Sequence, residues 1–300
     1  MYENDEWQSR NVLKIAIQTI DKCNNKCLMC PSSYIYRTSK KMSDDLFKKI
    51  IKELIVYMKT KNINKIKFDM FLQNEPLLDN ELFEKIRFIK AVLPAKVEIS
   101  TNGLLVPKYE KALVKWADYV FFNIMGWHAE SYSVFHGVKI NQSFYDKMMN
   151  SIKRVKSQFV PERAVIALYK RELAGNLQEA EKWYKRDYSR AGFLSNDKIY
   201  HDKIWGCYYN KHKFWNFLAD GSMILCYQDW RRYTIYGNIK YQSLLEIENS
   251  SLYKTYINKV EGKIKSENDF ICKKCELSYG DKKYSSTSDK WQPEIFKSYN

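Results

Sequence analysis

Asp21-Lys-Cys-Asn-Asn-Lys-Cys-Leu-Met-Cys-Pro31 is the stretch from which the rest of the chain is read. It places Cys23, Cys27 and Cys30 at the spacing C-x3-C-x2-C. Three thiolates so arranged can hold three corners of a cubane iron–sulfur cluster, and the fourth iron is then left without a protein ligand. An open coordination position separates a metal site that does chemistry from one that only holds a fold together. The stretch begins where a strand pattern ends: Leu13, Ile15, Ile17 and Thr19 alternate with Val12, Ala16 and Gln18.

Outward from this loop, residues 43–59 carry helical periodicity behind Ser43, an N-cap with Asp44 and Asp45 in the first turn. Further strands are expected at 65–72, 96–101, 118–124 and 163–169, and helices at 80–92, 107–116, 141–157 and 177–190. Strands alternating with helices build a parallel sheet from βα units. The candidate functional residues fall where strands end, the face on which barrel-like sheets place their chemistry. A closed barrel of eight units typically takes ~250 residues. The expected fold class is therefore α/β, a partial TIM-like (β/α)6 barrel over residues 12–200. Beyond it the pattern changes. Residues 213–226 read as a hairpin turning at Asp220-Gly221, and a short helix starts at Ser243. A small α+β domain is expected over 201–285, with an N-terminal segment at 1–11 and a polar tail at 286–300.

The 300 residues are 45% hydrophobic and 15% aromatic, enough for a sizeable core. No apolar run nears about 18 residues, so no membrane span is expected. The acidic start, Met-Tyr-Glu-Asn-Asp-Glu, is not a secretory signal. Without one, seven cysteines point to metal ligation in a reducing cytoplasm rather than to disulfides. The net charge of +15 suits an anionic partner. The lysines are spread along the chain instead of gathered in one tract, which disfavours nucleic acid and leaves an acidic electron donor or an anionic substrate.

Five segments resemble the radical S-adenosylmethionine (SAM) superfamily. The cysteine loop is similar to that family's cluster loop, with Met29 at the position that contacts the adenine end of SAM. Phe71-Leu-Gln-Asn-Glu-Pro76 resembles its Gly-Gly-Glu-Pro segment, with Gln73-Asn74 in place of the glycines. This implies that the backbone around Asn74 and the Glu75 carboxylate bind the SAM ammonium. Ile99-Ser-Thr-Asn-Gly103 resembles the segment after the third strand, which implies that Ser100 and Asn102 reach the ribose. Phe122-Asn-Ile-Met-Gly126 aligns with a Ser-x-Asp-Gly segment, which implies a polar contact from Asn123 and loses the Asp at Met125. Tyr132-Ser-Val-Phe-His-Gly137 resembles a Tyr-x-x-x-Arg-Gly segment whose Arg pairs with the SAM carboxylate, which puts His136 there. The resemblance further implies that SAM chelates the open iron and is cleaved to methionine and a 5′-deoxyadenosyl radical, which abstracts hydrogen from a C–H bond. The electron would come from a flavodoxin or ferredoxin-type donor.

Cys207, Cys226, Cys272 and Cys275 remain, at C-x18-C-x45-C-x2-C. Four thiolates fully ligate a [4Fe–4S] cluster or a structural zinc ion. Ala219-Asp-Gly-Ser222, Cys226-x-x-Asp229 and Gly237-Asn-Ile239 with Ser243-Leu244 resemble the Twitch domain, the shorter relative of the SPASM extension. This implies an auxiliary [4Fe–4S] cluster that accepts an electron. A base is then needed at the substrate. Tyr169, Lys170 and Arg171 after the fifth strand, and His128, Asp229 and Trp230, are the candidates, with Tyr169, Arg171 and Asp229 singled out as catalytic. The expected reaction is a two-electron oxidation of a polar small molecule such as a sugar or aminocyclitol. Ribosomal-peptide modification by crosslinking, thioether formation or epimerisation is the competing reading, and a non-catalytic metal- or nucleic-acid-binding module is the distant one. No eighth cysteine is present to return hydrogen, which counts against epimerisation.

Overall fold

The computed structural model describes residues 12–28, 30–160, 163–168, 190–193, 199–207, 214–281 and 283–284. Five strands, β1 (Leu13–Ile17), β2 (Ile66–Asp69), β3 (Ala95–Thr101), β4 (Tyr119–Ile124) and β5 (Ala164–Leu168), pair in chain order and in parallel. The intervening helices are α1 (Asp44–Lys61), α2 (Leu82–Val92), α3 (Val106–Trp116), α4 (Ala129–His136) and α5 (Gln142–Lys156). Ser43 caps α1 by accepting from the Leu46 N–H, and Asn141 caps α5 by accepting from the Phe144 N–H.

Alternate strand residues build the core. Ile15, Ile17, Phe68, Ile99, Phe122 and Ile124 meet Ile50 and Leu54 of α1, Ile86 of α2, Leu113 of α3 and Ile152 of α5. The other face of the same strands is charged. The Lys67 ammonium bridges Asp69 at 3.1 Å and also pairs with Glu98. Burial pushes the Asp69 carboxyl up to about 6, against the pull of Lys67. Burial and the neighbouring Lys67 bring the Lys14 ammonium down to about 8.

The remainder comprises β6 (Ile199–Tyr200), β7 (Ile204–Cys207), β8 (Phe214–Phe217), β9 (Ser222–Ile224), β10 (Ile235–Asn238), α6 (Leu244–Asn249), α7 (Ser251–Val260), β11 (Ser278–Gly280) and β12 (Lys283–Tyr284). β8 and β9 form the expected hairpin, with Gly221 at φ +86° in its turn. β8 then pairs in parallel with β1, so one sheet of order β10-β9-β8-β1-β2-β3-β4-β5 runs through both segments. β7 with β11 and β6 with β12 make two small antiparallel ribbons.

Helix α4 was not expected. Its eight residues lie between Gly126 and Gly137, both at positive φ, and its N-cap is His128 rather than one of the usual short polar residues. Nearly all of the helix expected over 177–190 lies outside the described residues, as do 1–11 and 286–300. Among the described residues no helix is long and apolar enough to cross a membrane.

Trp215 of β8 joins the two segments: its ring lies edge-on to Tyr57 of α1 at 5.8 Å and stacks on Tyr253 of α7 at 5.1 Å. Trp215→Ala should cost about 3–5 kcal/mol, the usual loss for a large buried aromatic. A urea melt followed by circular dichroism should show one transition moved to lower denaturant. Two transitions with only one of them moved would mean that the segments fold independently.

Candidate active site at the cysteine loop

The loop that carries the first three cysteines leaves the end of β1 and is held at three places. At its start, the Asp21 carboxylate accepts from Arg37, from the N–H and hydroxyl of Thr38, and from Arg232 at 2.8 Å. Burial pushes this carboxyl up, but the Thr38 donors and the Arg232 guanidinium outweigh it and hold it below its usual range. Next, the Glu75 N–H donates to Lys22 O at 2.9 Å, tying the loop to the segment after β2. Finally, the loop docks on the end of α4, where Lys26 N–H donates to His136 O and Leu28 N–H donates to Phe135 O. These carbonyls are among the four that a helix leaves without internal donors at its C-terminus. Gly137 sits at φ +60°, and a Cβ there would lie 2.3 Å from Lys26 O.

Cys23, Cys27 and Cys30 form no disulfide and are partly buried. Burial pushes the Cys23 thiol up to about 12, and Cys27 and Cys30 are raised for the same reason, Cys27 also by the other two sulfurs. Thiols held this way give up their protons only to a metal. Glu75 is buried among Thr101 O–H, Asn102 N–H and Leu77 N–H, all donating to its carboxylate. Burial still pushes it up to about 7, against those three hydrogen bonds. Among the described residues no cation pairs with this buried carboxylate, which suits an ammonium ligand. Asn74 Nδ2 and Asn123 Oδ1 are buried without protein partners, as sites for a polar ligand require.

The remaining expected contacts are distributed differently. Ser100 shares with Glu98 the strand face away from the Ile99 core. Asn102 is engaged within the protein, donating to Asn24 Oδ1 and accepting from Leu104 N–H. His136 is 1% exposed. Its Nε2 accepts from Met125 N–H, and its Nδ1 faces Asn25 and Cys27, so neither ring nitrogen is left for a SAM carboxylate. Burial brings the imidazole down to about 3, so the ring is neutral. Asp229 does not fit a base: it is buried, and its carboxylate accepts from Tyr233 N–H and from the N–H and hydroxyl of Thr234. His128 caps α4 through Nδ1. Met29, Tyr169, Lys170 and Arg171 lie outside the described residues.

Two residues to which the sequence reading gave no role belong to this site. Arg37 is nearly buried beside Cys23 and Cys30, and its Nε and Nη2 lack protein partners. Gln73, which replaces a small residue, donates from Nε2 to Tyr227 O at 3.2 Å and Asp229 O at 3.0 Å. Neither has a local signal in the sequence, because both depend on contacts across the fold.

Tyr227 and Asp229 belong to the loop after Cys226, one wall of the second thiol site. Cys207, Cys226, Cys272 and Cys275 line one cavity together with Leu225, Val260 and Ile271. Backbone N–H groups of Gln228 and Leu277 donate to the sulfurs of Cys226 and Cys275. Four thiols that line one cavity match the ligand set of a fully protein-ligated [4Fe–4S] cluster.

The profile of the radical SAM superfamily matches residues 17–173, more than half of the chain. That of an iron–sulfur cluster-binding domain, SPASM, matches residues 207–276. No curated protein matches the chain. Solved structures share the fold at low identity. BtrN, in complex with AdoMet and 2-DOIA, is 18% identical over 83% of this chain and 87% of its own, with a TM-score of 0.58. His-tagged anSMEcpe with bound AdoMet is 17% identical over 88% and 83%, with a TM-score of 0.57. SuiB of Streptococcus suis bound to precursor peptide SuiA is 15% identical over 88% and 76%, with a TM-score of 0.53.

Gly137→Ala tests the docking of the loop. A left-handed alanine costs about 1–2 kcal/mol, and the methyl group would displace Lys26. The variant should keep its circular dichroism spectrum yet lose most of the iron bound at the first three cysteines, read as iron per chain in a Cys272→Ala/Cys275→Ala background. Unchanged iron would show that the close approach at Gly137 does not set the loop.

Proposed function

Because the chain belongs to the radical SAM superfamily, we propose that it is an oxidoreductase that dehydrogenates a polar small molecule such as a sugar or aminocyclitol. The family and the SPASM match make SAM, a SAM-binding [4Fe–4S] cluster and an auxiliary cluster its cofactors. Cys23, Cys27 and Cys30 would hold the first cluster, and Cys207, Cys226, Cys272 and Cys275 the second. When bound, these groups supply a 5′-deoxyadenosyl radical that takes a hydrogen atom from a C–H bond, and an acceptor for the electron left behind.

The observation that carries the oxidation is the closed set of four thiols around one cavity. A site with every corner ligated by protein binds no substrate and serves electron transfer. Gln73 supports this reading, since it ties the wall of that site to the SAM-binding segment. The polar substrate is supported by the inner face of the sheet, where Asp69 and Glu98 flank Lys67. Carboxylates so placed recognise hydroxyl or ammonium groups. Tyr169, in the segment that follows β5, is the proposed acceptor of the substrate proton, and Arg171, always protonated, would orient the substrate as a hydrogen-bond donor. Glu75 would hold the SAM ammonium, with Asn74, Ser100 and Asn123 as further polar contacts. Arg37 would take the SAM carboxylate, since a guanidinium with two unpartnered groups matches it as a fork. The charge of +15 suits a flavodoxin or ferredoxin-type donor, and seven cysteines that form no disulfide suit the cytoplasm.

Two experiments test this reading. Reconstituted enzyme given dithionite, SAM and a C-deuterated aminocyclitol or sugar should move deuterium into 5′-deoxyadenosine and yield a product two mass units lighter than its protiated equivalent. Deuterium arriving only from a labelled peptide would establish peptide modification instead. In the second, SAM affinity is measured by calorimetry from pH 5.5 to 8.5. Only ionised Glu75 attracts an ammonium, and the free carboxyl titrates at about 7. Affinity should therefore fall below pH 7 by up to about tenfold per unit as Glu75 takes up its proton. Arg37→Lys should weaken binding at every pH. Affinity independent of pH would remove Glu75 from this role.

A further inference from the structure

The end of α4 does more than dock the cysteine loop. Met125 N–H donates to His136 Nε2 at 3.0 Å, so Nε2 carries no proton. The proton of the neutral ring is therefore on Nδ1. That nitrogen lies 2.8 Å from the Asn25 amide and 3.4 Å from the Cys27 sulfur. The Asn25 amide as oriented presents its NH2 to this N–H, donor against donor, while its Oδ1 is buried with no partner. Turning the amide over sets Oδ1 against this N–H, since the two ends of an amide are assigned from the hydrogen-bond network, and it gives up the 3.4 Å contact of Nδ2 with the Tyr132 hydroxyl. The Nδ1–H is then shared between Asn25 Oδ1 and Cys27 Sγ. The ring plane is set by stacking on Tyr132 at 4.0 Å, and the Met125 N–H, which needs an acceptor at Nε2, sets which way round the ring lies.

We infer that His136 is a positioning residue that holds an N–H against the Cys27 sulfur and thereby raises the reduction potential of the cluster which that sulfur ligates. Hydrogen bonds to ligating sulfurs stabilise the reduced, more negative state. The geometry supplies the reason for a histidine here. An imidazole bridges Met125 on one side and Cys27 on the other, a span that only a side chain with two opposed polar nitrogens makes. The inference rests on the assignment of Cys27 as a cluster ligand.

Pulsed electron–nuclear resonance on the reduced, SAM-free holoenzyme labelled with 15N-histidine should show a coupled 15N nucleus and an exchangeable proton at the first cluster. Potentiometric titration of His136→Phe, which keeps the ring shape without the N–H, should shift the reduction equilibrium against the reduced state by about tenfold, or 59 mV for a one-electron couple. His136→Asn, whose Nδ2 can occupy the place of Nδ1, should recover most of that shift. If His136→Phe loads no cluster, the 15N measurement on the unaltered protein decides alone. A first cluster present but uncoupled to histidine, or a His136→Phe potential equal to that of the unaltered protein, overturns the inference and leaves the cluster assignment standing. Absence of any cluster at Cys23, Cys27 and Cys30 in the unaltered protein overturns both.

Discussion

Lys26 and Leu28 donate their backbone N–H groups to the last carbonyls of α4, and the rest of the site is arranged around that contact. A loop presenting three thiols to a metal has no regular hydrogen bonds of its own, so its amides need acceptors. A helix end has carbonyls that need donors. Joining the two satisfies both at once. It also sets the partial negative end of α4 beside sulfurs that become anionic on metal binding, an unfavourable placement by itself. The groups around the loop offset it: the His136 N–H toward Cys27, and the guanidinium groups of Arg37 and Arg190 near Cys30. Gly137 is the backbone condition for the whole arrangement, because any side chain there would meet the Lys26 carbonyl.

The same loop connects to the second thiol site by two routes. One is the sheet, in which β8 pairs directly with β1. The other is polar: Arg232 reaches Asp21, and Gln73 reaches the carbonyls of Tyr227 and Asp229. A glutamine in place of a small residue costs bulk beside the cofactor segment, and its amide returns a brace between the two sites. The auxiliary thiols are thereby held on the same rigid body as the first three, which suits electron transfer better than a tethered, mobile domain would.

Much of the scaffold could be read from pattern. The 2-residue and 3.6-residue periodicities placed β1 to β5 and α1, α2, α3 and α5 within a few residues, and Ser43 acts as the N-cap expected of it. What stayed hidden was either too short or too polar for periodicity to show. Helix α4 spans barely two turns. Lys67 is buried and Asp69 and Glu98 are half-buried, although their alternation with core residues would equally suit solvent-facing positions of half-exposed strands. Asp229 offered the chemistry of a base, but its oxygens are occupied by the turn it closes.

By itself the sequence determined the grouping of the first three cysteines, because thiol spacing within a loop is local and survives any detail of packing, whereas the other four meet around one cavity only in the fold. It also determined the order of strands and helices, since periodicity is local too. Only the tertiary structure decided which of the polar residues remain open to a ligand. His136 and Asn102 prove to be engaged by protein partners as much as 111 residues away in sequence, while Arg37 and Asn123 keep buried groups unpartnered. Whether a side chain is satisfied depends on neighbours brought together by folding, and no window of sequence contains them.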